Sequence, residues 1–534
     1  MKIIITEKID AGAVDYLRQQ GFEVDEHLGL TQSEIEAIIA PYDALIVRSV
    51  TQVNRQLITK ATNLKVVGRA GNGIDNIDVS ACTAKGIIAV NTPEANIMAA
   101  GELAVALAFA AFRNVCQAND AAHHDDFRRS RLIGNELEGK VAGVIGMGRI
   151  GSIVARKLKG IGMRVIAYDP YISADRFDKI CVRRCDVLDE LLREADLITL
   201  HTPKTKETYN MLDAPQLALC KPGVRIVNAA RGGLVNEKAL YDALKSGHVA
   251  AAGIDVFDHE PGYDKKPGEQ NYQNLLLTLP NCIVTPHLGA STHEANANVG
   301  TAVTELVASA LHGDLVMAIN MPAISGSMAE MRPYVNLAEK LGAIYYQTET
   351  ARIRKIEVTY SGELAEKDSS LLTLAVLKGF LSTFTTERIS FVNVKQNVRD
   401  MGIEVVESTT TGLERYTSLI TVTFTSEEKV LSVSGTVFGK DSEILVDFFG
   451  YHMDFELSDH VIAIQNDDVP GIIGQVGTVL GQQNINIATL HWSRKKEKMR
   501  AQSMVSIDSP ADDATINALR RINGVLRVSV LNFN

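Results

Sequence analysis

The string Gly146-Met147-Gly148-Arg149-Ile150-Gly151 directly follows the apolar run Val141–Ile145. Such a turn suits a dinucleotide. The glycines permit a tight bend, close approach of a pyrophosphate to bare backbone, and close packing of a following helix whose free N–H groups face the anion. An acidic residue should close the next strand, and Asp169 does so within Tyr168-Asp169-Pro170. Its carboxylate can accept both ribose hydroxyls and would repel a 2′-phosphate, so NAD is expected rather than NADP. Three more residues sit in loops after strand-like runs: Arg231 after Val227-Asn228-Ala229-Ala230, Glu260 in Asp255–Pro261, and His287 after Ile283-Val284-Thr285-Pro286. An arginine fork can grip a carboxylate bidentately, and an imidazole steadied by a carboxylate can take a hydroxyl proton and return it. These are the groups needed to oxidise a 2-hydroxy acid beside a nicotinamide. No HExxH, paired Cys/His or acidic cluster points to a metal.

The elements that must hold these loops follow from the rhythm of the chain. Short β-rich runs (Ile3–Ile5, Phe22–Val24, Ala44–Val47, Lys65–Gly68, Ile87–Val90) alternate with helix-like segments, and the alternation restarts at Val141 and runs through Ile254. Two doubly covered parallel sheets are predicted, an α/β class with Rossmann-like or flavodoxin-like domains. A helix near Glu294–His312 would return to the first domain, making the cleft between the two the active site. After about Asn320 the texture changes: Met321–Gly326 reads as a linker, and runs such as Ile420–Phe424 alternate as in a sheet with one wet face. From Val461 the order strand, helix, two strands near Ile485–Ala488 and Ser503–Ile507, and a helix near Asp513–Arg521 predicts a ferredoxin-like β-α-β-β-α-β unit.

Composition narrows the partners. With 534 residues, several domains are needed. A formal charge of −10 and no basic block disfavour nucleic acid and anionic membranes, so an anionic substrate needs clustered arginines. Met1–Glu7 is too short for a secretory apolar region, and Ala95–Phe112, interrupted by Glu102, reads as a buried helix rather than a span. The six scattered cysteines read as reduced core thiols of a cytoplasmic protein.

The strings Arg69–Asp78, Gly146–Gly151, Asn228–Gly233 and Pro286–Thr292 resemble the D-isomer-specific 2-hydroxyacid dehydrogenases over the first 320 residues. That resemblance implies a catalytic set of Arg231, Glu260 and His287. It places Thr202, Ala229 and Asp255 on the nicotinamide side of the cofactor and Arg149, Ile150 and Asp169 on the adenosine side, with Pro203, Ala230 and Gly289 as further cofactor contacts. Arg48, Ser49 and Asn96 would meet a substrate phosphate, and Asn72 and Gly73 its carboxylate. The long form of the family, with two extra C-terminal domains, implies 3-phosphoglycerate as substrate; glyoxylate, 2-oxoglutarate, 4-phosphoerythronate or a non-catalytic NAD-sensing role are the alternatives. The implied layout is a substrate domain (1–94 and 291–320), an NAD domain (95–290), an intervening domain of the allosteric substrate-binding type (321–457) and an ACT regulatory domain (458–534). In the last, Asn466, Asp468, Pro470, Gly471 and Asn486 stand where an L-serine effector would bind. A homodimer or homotetramer built on the nucleotide domain is implied as well. Two departures from the family pattern are Phe127, where a tryptophan is usual, and an insertion from Gly262 to Asn274 beside the cleft.

Overall fold

The computed structural model describes residues 1–261, 271–322, 328–385, 388–413, 415–495 and 499–533. Most of the Gly262–Asn274 insertion and of the Met321–Gly326 linker therefore lies outside the described residues. The first sheet is parallel, with β1 (Lys2–Ile5), β2 (Glu23–Glu26), β3 (Ala44–Val47), β4 (Val66–Arg69) and β5 (Ile88–Asn91) in the order β2-β1-β3-β4-β5. All four residues of β3 are buried, which is why its sequence is uniformly apolar instead of alternating. The second sheet runs β12-β11-β10-β9-β6-β7-β8, from β6 (Val141–Ile145), β7 (Arg164–Tyr168), β8 (Arg183–Arg184), β9 (Leu197–Leu200), β10 (Val224–Asn228), β11 (Val249–Ile254) and β12 (Cys282–Val284). Every pairing in it is parallel, and the order reverses between β9 and β6, where open α/β sheets bind ligands at their carboxyl ends.

The helix His293–Leu311 follows β12 but packs on β4 and on the helix Ala11–Gln19 of the first unit. Gly68 lets it approach: a Cβ there would lie 2.6 Å from Val307 Cγ2. The first unit is thus completed by chain from beyond the second. The helix Ile97–Arg113 buries a face of small residues, among them Ala99, Ala100, Gly101, Ala104 and Ala108. Among the described residues no single helix is long and apolar enough to cross a membrane; this helix and Val115–His123 reach that length only as a pair bent by 66°.

The third sheet is mixed, in the order β14-β13-β15-β16-β17-β18, from β13 (Ile353–Gly362), β14 (Glu404–Thr410), β15 (Ser418–Ser426), β16 (Val430–Phe438), β17 (Ser442–Phe448) and β18 (Tyr451–Glu456). Strict alternation of burial along β15 gives it one wet face. The fourth sheet, β20-β21-β19-β22, from β19 (His460–Asp467), β20 (Ile487–Lys495), β21 (Arg500–Ile507) and β22 (Val525–Asn532), has ferredoxin-like connectivity. The expectation that all cysteines are core thiols fails at Cys116 and Cys181, which are exposed. Cys116 lies on the helix Val115–His123, which buries none of its residues.

Candidate active site

The glycine turn after β6 is built as a dinucleotide needs. Gly146 has φ +91°, and a Cβ on Gly151 would stand 1.9 Å from Gly146 O, so the helix Arg149–Gly160 can begin only if that residue lacks a side chain. At Gly148, the N-cap of this helix, a Cβ would meet nothing within 4 Å, and no side chain caps the helix. Open space thus faces free helix N–H groups, which fits a pyrophosphate. Asp169 directly follows β7 and accepts from Met147 N at 2.8 Å through Oδ2, tying its carboxylate to the turn itself. Arg149 forms an exposed 2.7 Å ion pair with Glu94, and Ile150 packs on the sheet's core. His201 lies behind the turn, its ring 2.9 Å from Thr199 Oγ1; burial pushes it down to about 3, so it is neutral and a structural group.

The three loops singled out by chemistry converge at the carboxyl ends of their strands. His287 Nδ1 lies 2.9 Å from Glu260 Oε1 and 3.1 Å from Oε2. With the carboxylate ionised, Nδ1–H donates and Nε2 is left to exchange a proton with substrate. His287 has φ +57°, in the left-handed region that a histidine seldom occupies. Asp255 holds it there. That carboxylate, 1% exposed, accepts from Thr285 Oγ1 (2.6 Å), Leu288 N (2.7 Å) and Gly289 N (3.1 Å), while Asp255 O accepts from His287 N (2.9 Å). Asp255 and Gly289 thus fix the imidazole loop. Arg231 is steered similarly: Asn228 Oδ1 accepts from Ala230 N, and Asn228 Nδ2 donates to Arg231 O. Its guanidinium donates to Ala230 O (2.7 Å) and reaches across to the first unit, 3.8 Å from Asp75 Oδ2.

On the first unit's side, the loop after β3 wraps a carboxylate. Glu7 accepts from four consecutive backbone N–H groups, those of Arg48, Ser49, Val50 and Thr51, at 2.9–3.0 Å. The Arg48 guanidinium donates to Asn296 Oδ1 and Lys8 O. Asn96 caps no helix N–H, and its buried Oδ1 has no partner among the described residues. Asn72 O accepts from Asn91 Nδ2, and a Cβ on Gly73 would lie 3.0 Å from Arg231 Nη2, so Gly73 keeps the approach to that guanidinium open.

The residue the sequence reading missed is Arg69, at the end of β4. Its Nε is buried without a partner among the described residues, and burial first, then the charge of Arg231, pushes it down to about 10. Arg48 also acts on it, so three guanidiniums share one region of an acidic chain. The signal that marks Arg231, an arginine closing a β-run before a glycine-rich turn, marks Arg69 equally. Thr202 and Pro203 lie in the loop after β9, where Thr202 Oγ1 faces Met211 Sδ and Pro203 O accepts from Thr208 Oγ1.

In the fourth sheet, Asn466 is 1% exposed with Oδ1 unpartnered among the described residues. Asp468 is held by Arg494 at 2.7–3.0 Å, and Asn486 Nδ2 donates to Asp508. Gly471, at φ +95°, starts the helix Ile472–Gln482 after Pro470.

Comparison with known proteins agrees with this geometry. Residues 105–289 match the family described as D-isomer specific 2-hydroxyacid dehydrogenase, NAD binding domain, and residues 330–449 match the D-3-phosphoglycerate dehydrogenase intervening domain. A D-3-phosphoglycerate dehydrogenase of Archaeoglobus fulgidus is 40% identical over 98% of this chain and 99% of its own. One from Bacillus subtilis is 35% identical over 99% of both chains. Among solved structures, a Thermus thermophilus protein covers 59% of this chain and 98% of its own length, with a TM-score of 0.54 and 32% identity. The apo D-lactate dehydrogenase of Escherichia coli covers 59% of this chain and 98% of its own, with a TM-score of 0.51 and 28% identity.

Proposed function

The chain belongs to the D-3-phosphoglycerate dehydrogenase family of D-isomer-specific 2-hydroxyacid dehydrogenases, and from that premise we propose that it oxidises D-3-phosphoglycerate at C2 to 3-phosphohydroxypyruvate in L-serine biosynthesis. The observation that carries this reading is the His287–Glu260 pair in the loops after β12 and β11, next to the loop after β10 from which Arg231 reaches Asp75 and shares a region with Arg69 and Arg48. NAD is the cofactor and, when bound, accepts the hydride from C2. Arg231 grips the substrate carboxylate and sets the C2 face. His287 Nε2 takes the hydroxyl proton, and Glu260 stabilises the imidazolium that results. Loss of one proton and one hydride leaves the ketone. Arg48, Arg69, Ser49 and Asn96 receive the phosphate, and Asn72 and Gly73 offer backbone contacts to the carboxylate end.

We assign the cofactor contacts to Gly146, Gly148, Arg149, Ile150, Gly151 and Asp169 on one side and to Thr202, Pro203, Ala229 and Ala230 on the other, with Asp255 and Gly289 shaping the nicotinamide end. The domain limits proposed from the sequence suit the four sheets. In the C-terminal half, a cavity of about 290 Å³ lined by Lys429 of the intervening domain and by Lys495, Arg500 and Arg527 of the ACT domain, with Glu349 paired to Lys429 and Arg527, supports an anion-binding role where these two domains meet. The buried Asn466 Oδ1, without a partner among the described residues, supports an ACT-type L-serine site that also includes Asp468 and Asn486. Exposed Val115, Phe127 and Ile133 support self-association through the nucleotide domain, as a homodimer or homotetramer. Six cysteines without a disulfide suit the reducing cytoplasm.

The test is a panel of 2-hydroxy acids assayed with NAD on the unaltered chain and on Arg69→Ala. A charge-assisted hydrogen bond contributes about 1.5–3 kcal/mol, so KM for 3-phosphoglycerate should rise roughly 10- to 150-fold while an unphosphorylated acid is little affected. Equal losses on both acids would exclude Arg69 from the phosphate. No NADH formation from 3-phosphoglycerate by the unaltered chain would exclude the substrate.

A further inference from the structure

In the second sheet β6 lies between β9 and β7, so the loops after β9 and β7 stand on either side of the glycine turn. The loop after β7 carries Asp169 and Tyr171, and the loop after β9 runs on into the turn 204–208. These two loops touch. The Tyr171 hydroxyl donates to Glu207 Oε2 at 2.6 Å, a contact that the chemistry above does not use.

Glu207 is placed by its own turn. Thr205 N donates to Thr208 Oγ1 (2.8 Å), Glu207 N to Thr205 Oγ1 (3.2 Å), and Thr208 Oγ1 to Pro203 O (2.7 Å). On the other side Tyr171 N donates to Asp169 Oδ1 at 3.0 Å, so one residue is hydrogen-bonded to both carboxylates. The Tyr171 phenol is held above its ordinary range by the Glu207 hydrogen bond first and by that carboxylate's charge, with smaller contributions that include Asp169. Lys204, in the same turn, is engaged by Asp258 at 2.6 Å.

We propose that Glu207 is a cofactor-specificity residue: with Asp169, and bridged to it by Tyr171, it forms a two-carboxylate rim at the adenosine ribose that rejects a 2′-phosphate. The inference rests on the assignment of Asp169 to that ribose made under the proposed function. A 2′-phosphate carries up to two negative charges, and a second carboxylate adds repulsion that Asp169 alone does not supply. Because Tyr171 and Glu207 are exposed, the effect is of moderate size and is screened by salt.

The test is equilibrium binding of NADH and NADPH to the full chain, followed by nucleotide fluorescence. Glu207→Gln keeps an acceptor for Tyr171 and removes the charge. It should lower the ratio of the NADPH to the NADH dissociation constant roughly three- to tenfold at about 0.02 M salt, and by less than about twofold at about 0.5 M. Tyr171→Phe, which keeps the charge and removes the bridge, should lower the ratio by less. A ratio that does not move in Glu207→Gln at low salt, or that moves equally at both salt concentrations, overturns the assignment of Glu207 alone. An unaltered chain that does not bind NADH would overturn the proposed function together with it.

Discussion

Replacing His287 with alanine is expected to lower kcat by about 10²- to 10⁴-fold with NADH affinity changed by less than about twofold, since general acid–base catalysis typically contributes that much. The ring pairs with Glu260, from the neighbouring loop after β11, and so acts on the proton rather than on the glycine turn. Backbone strain offers a competing cause, because position 287 has φ +57° and an alanine there is disfavoured. His287→Asn separates the two, for asparagine tolerates the left-handed region and cannot act as the base. Both variants should lose turnover alike in a steady-state assay with saturating NAD. If either retained more than about a tenth of normal kcat, the acid–base role would be refuted.

The second large effect is expected at the dinucleotide turn. Gly151→Ala places a methyl where Gly146 O stands 1.9 Å away, and that contact is backbone, which cannot swing aside. The turn must open, so NADH affinity should fall by at least about 100-fold and stability by about 1–3 kcal/mol, as overpacking generally costs. Gly148→Ala meets no neighbour within 4 Å. It should leave the thermal midpoint nearly unchanged and still weaken NADH, because its methyl would occupy the space reserved for the pyrophosphate. Fluorescence titration and thermal unfolding of the two variants check this. A Gly151→Ala protein that binds NADH like the unaltered chain would mean the turn is not the cofactor site.

What could be read from the chain was what single stretches encode by themselves. The glycine turn, Asp169, and the strand-end positions of Arg231 and His287 each depend on ten or so neighbouring residues, so they were legible. The buried face of Ile97–Arg113 and the alternation of β15 were legible for the same reason. Arg69 carries the same strand-end signal as Arg231, but its burial beside Arg48 and Arg231 was not legible, because those two arrive from other loops, one of them in another sheet. Nor was the grip of Glu7 on the loop 48–51, which depends on β1 and β3 lying side by side. The Asp468–Arg494 pair depends on strand placement in the fourth sheet. The strand expected from Ile485 begins at Ile487, since Asn486 is drawn off to Asp508. Cys116 misled for the opposite reason: composition averages over the chain, and the helix Val115–His123 happens to have no buried side.

If the chain works as proposed, Arg231, His287 and the reactive face of the dinucleotide surround one carbon. The most direct test of that arrangement is oxidation of D-3-phosphoglycerate deuterated at C2, with the keto acid trapped and the NADH recovered for mass spectrometry. One deuterium is expected in each NADH formed, none released to solvent, and a turnover that His287→Ala suppresses. NADH formed without deuterium, or deuterium found in water, would contradict it.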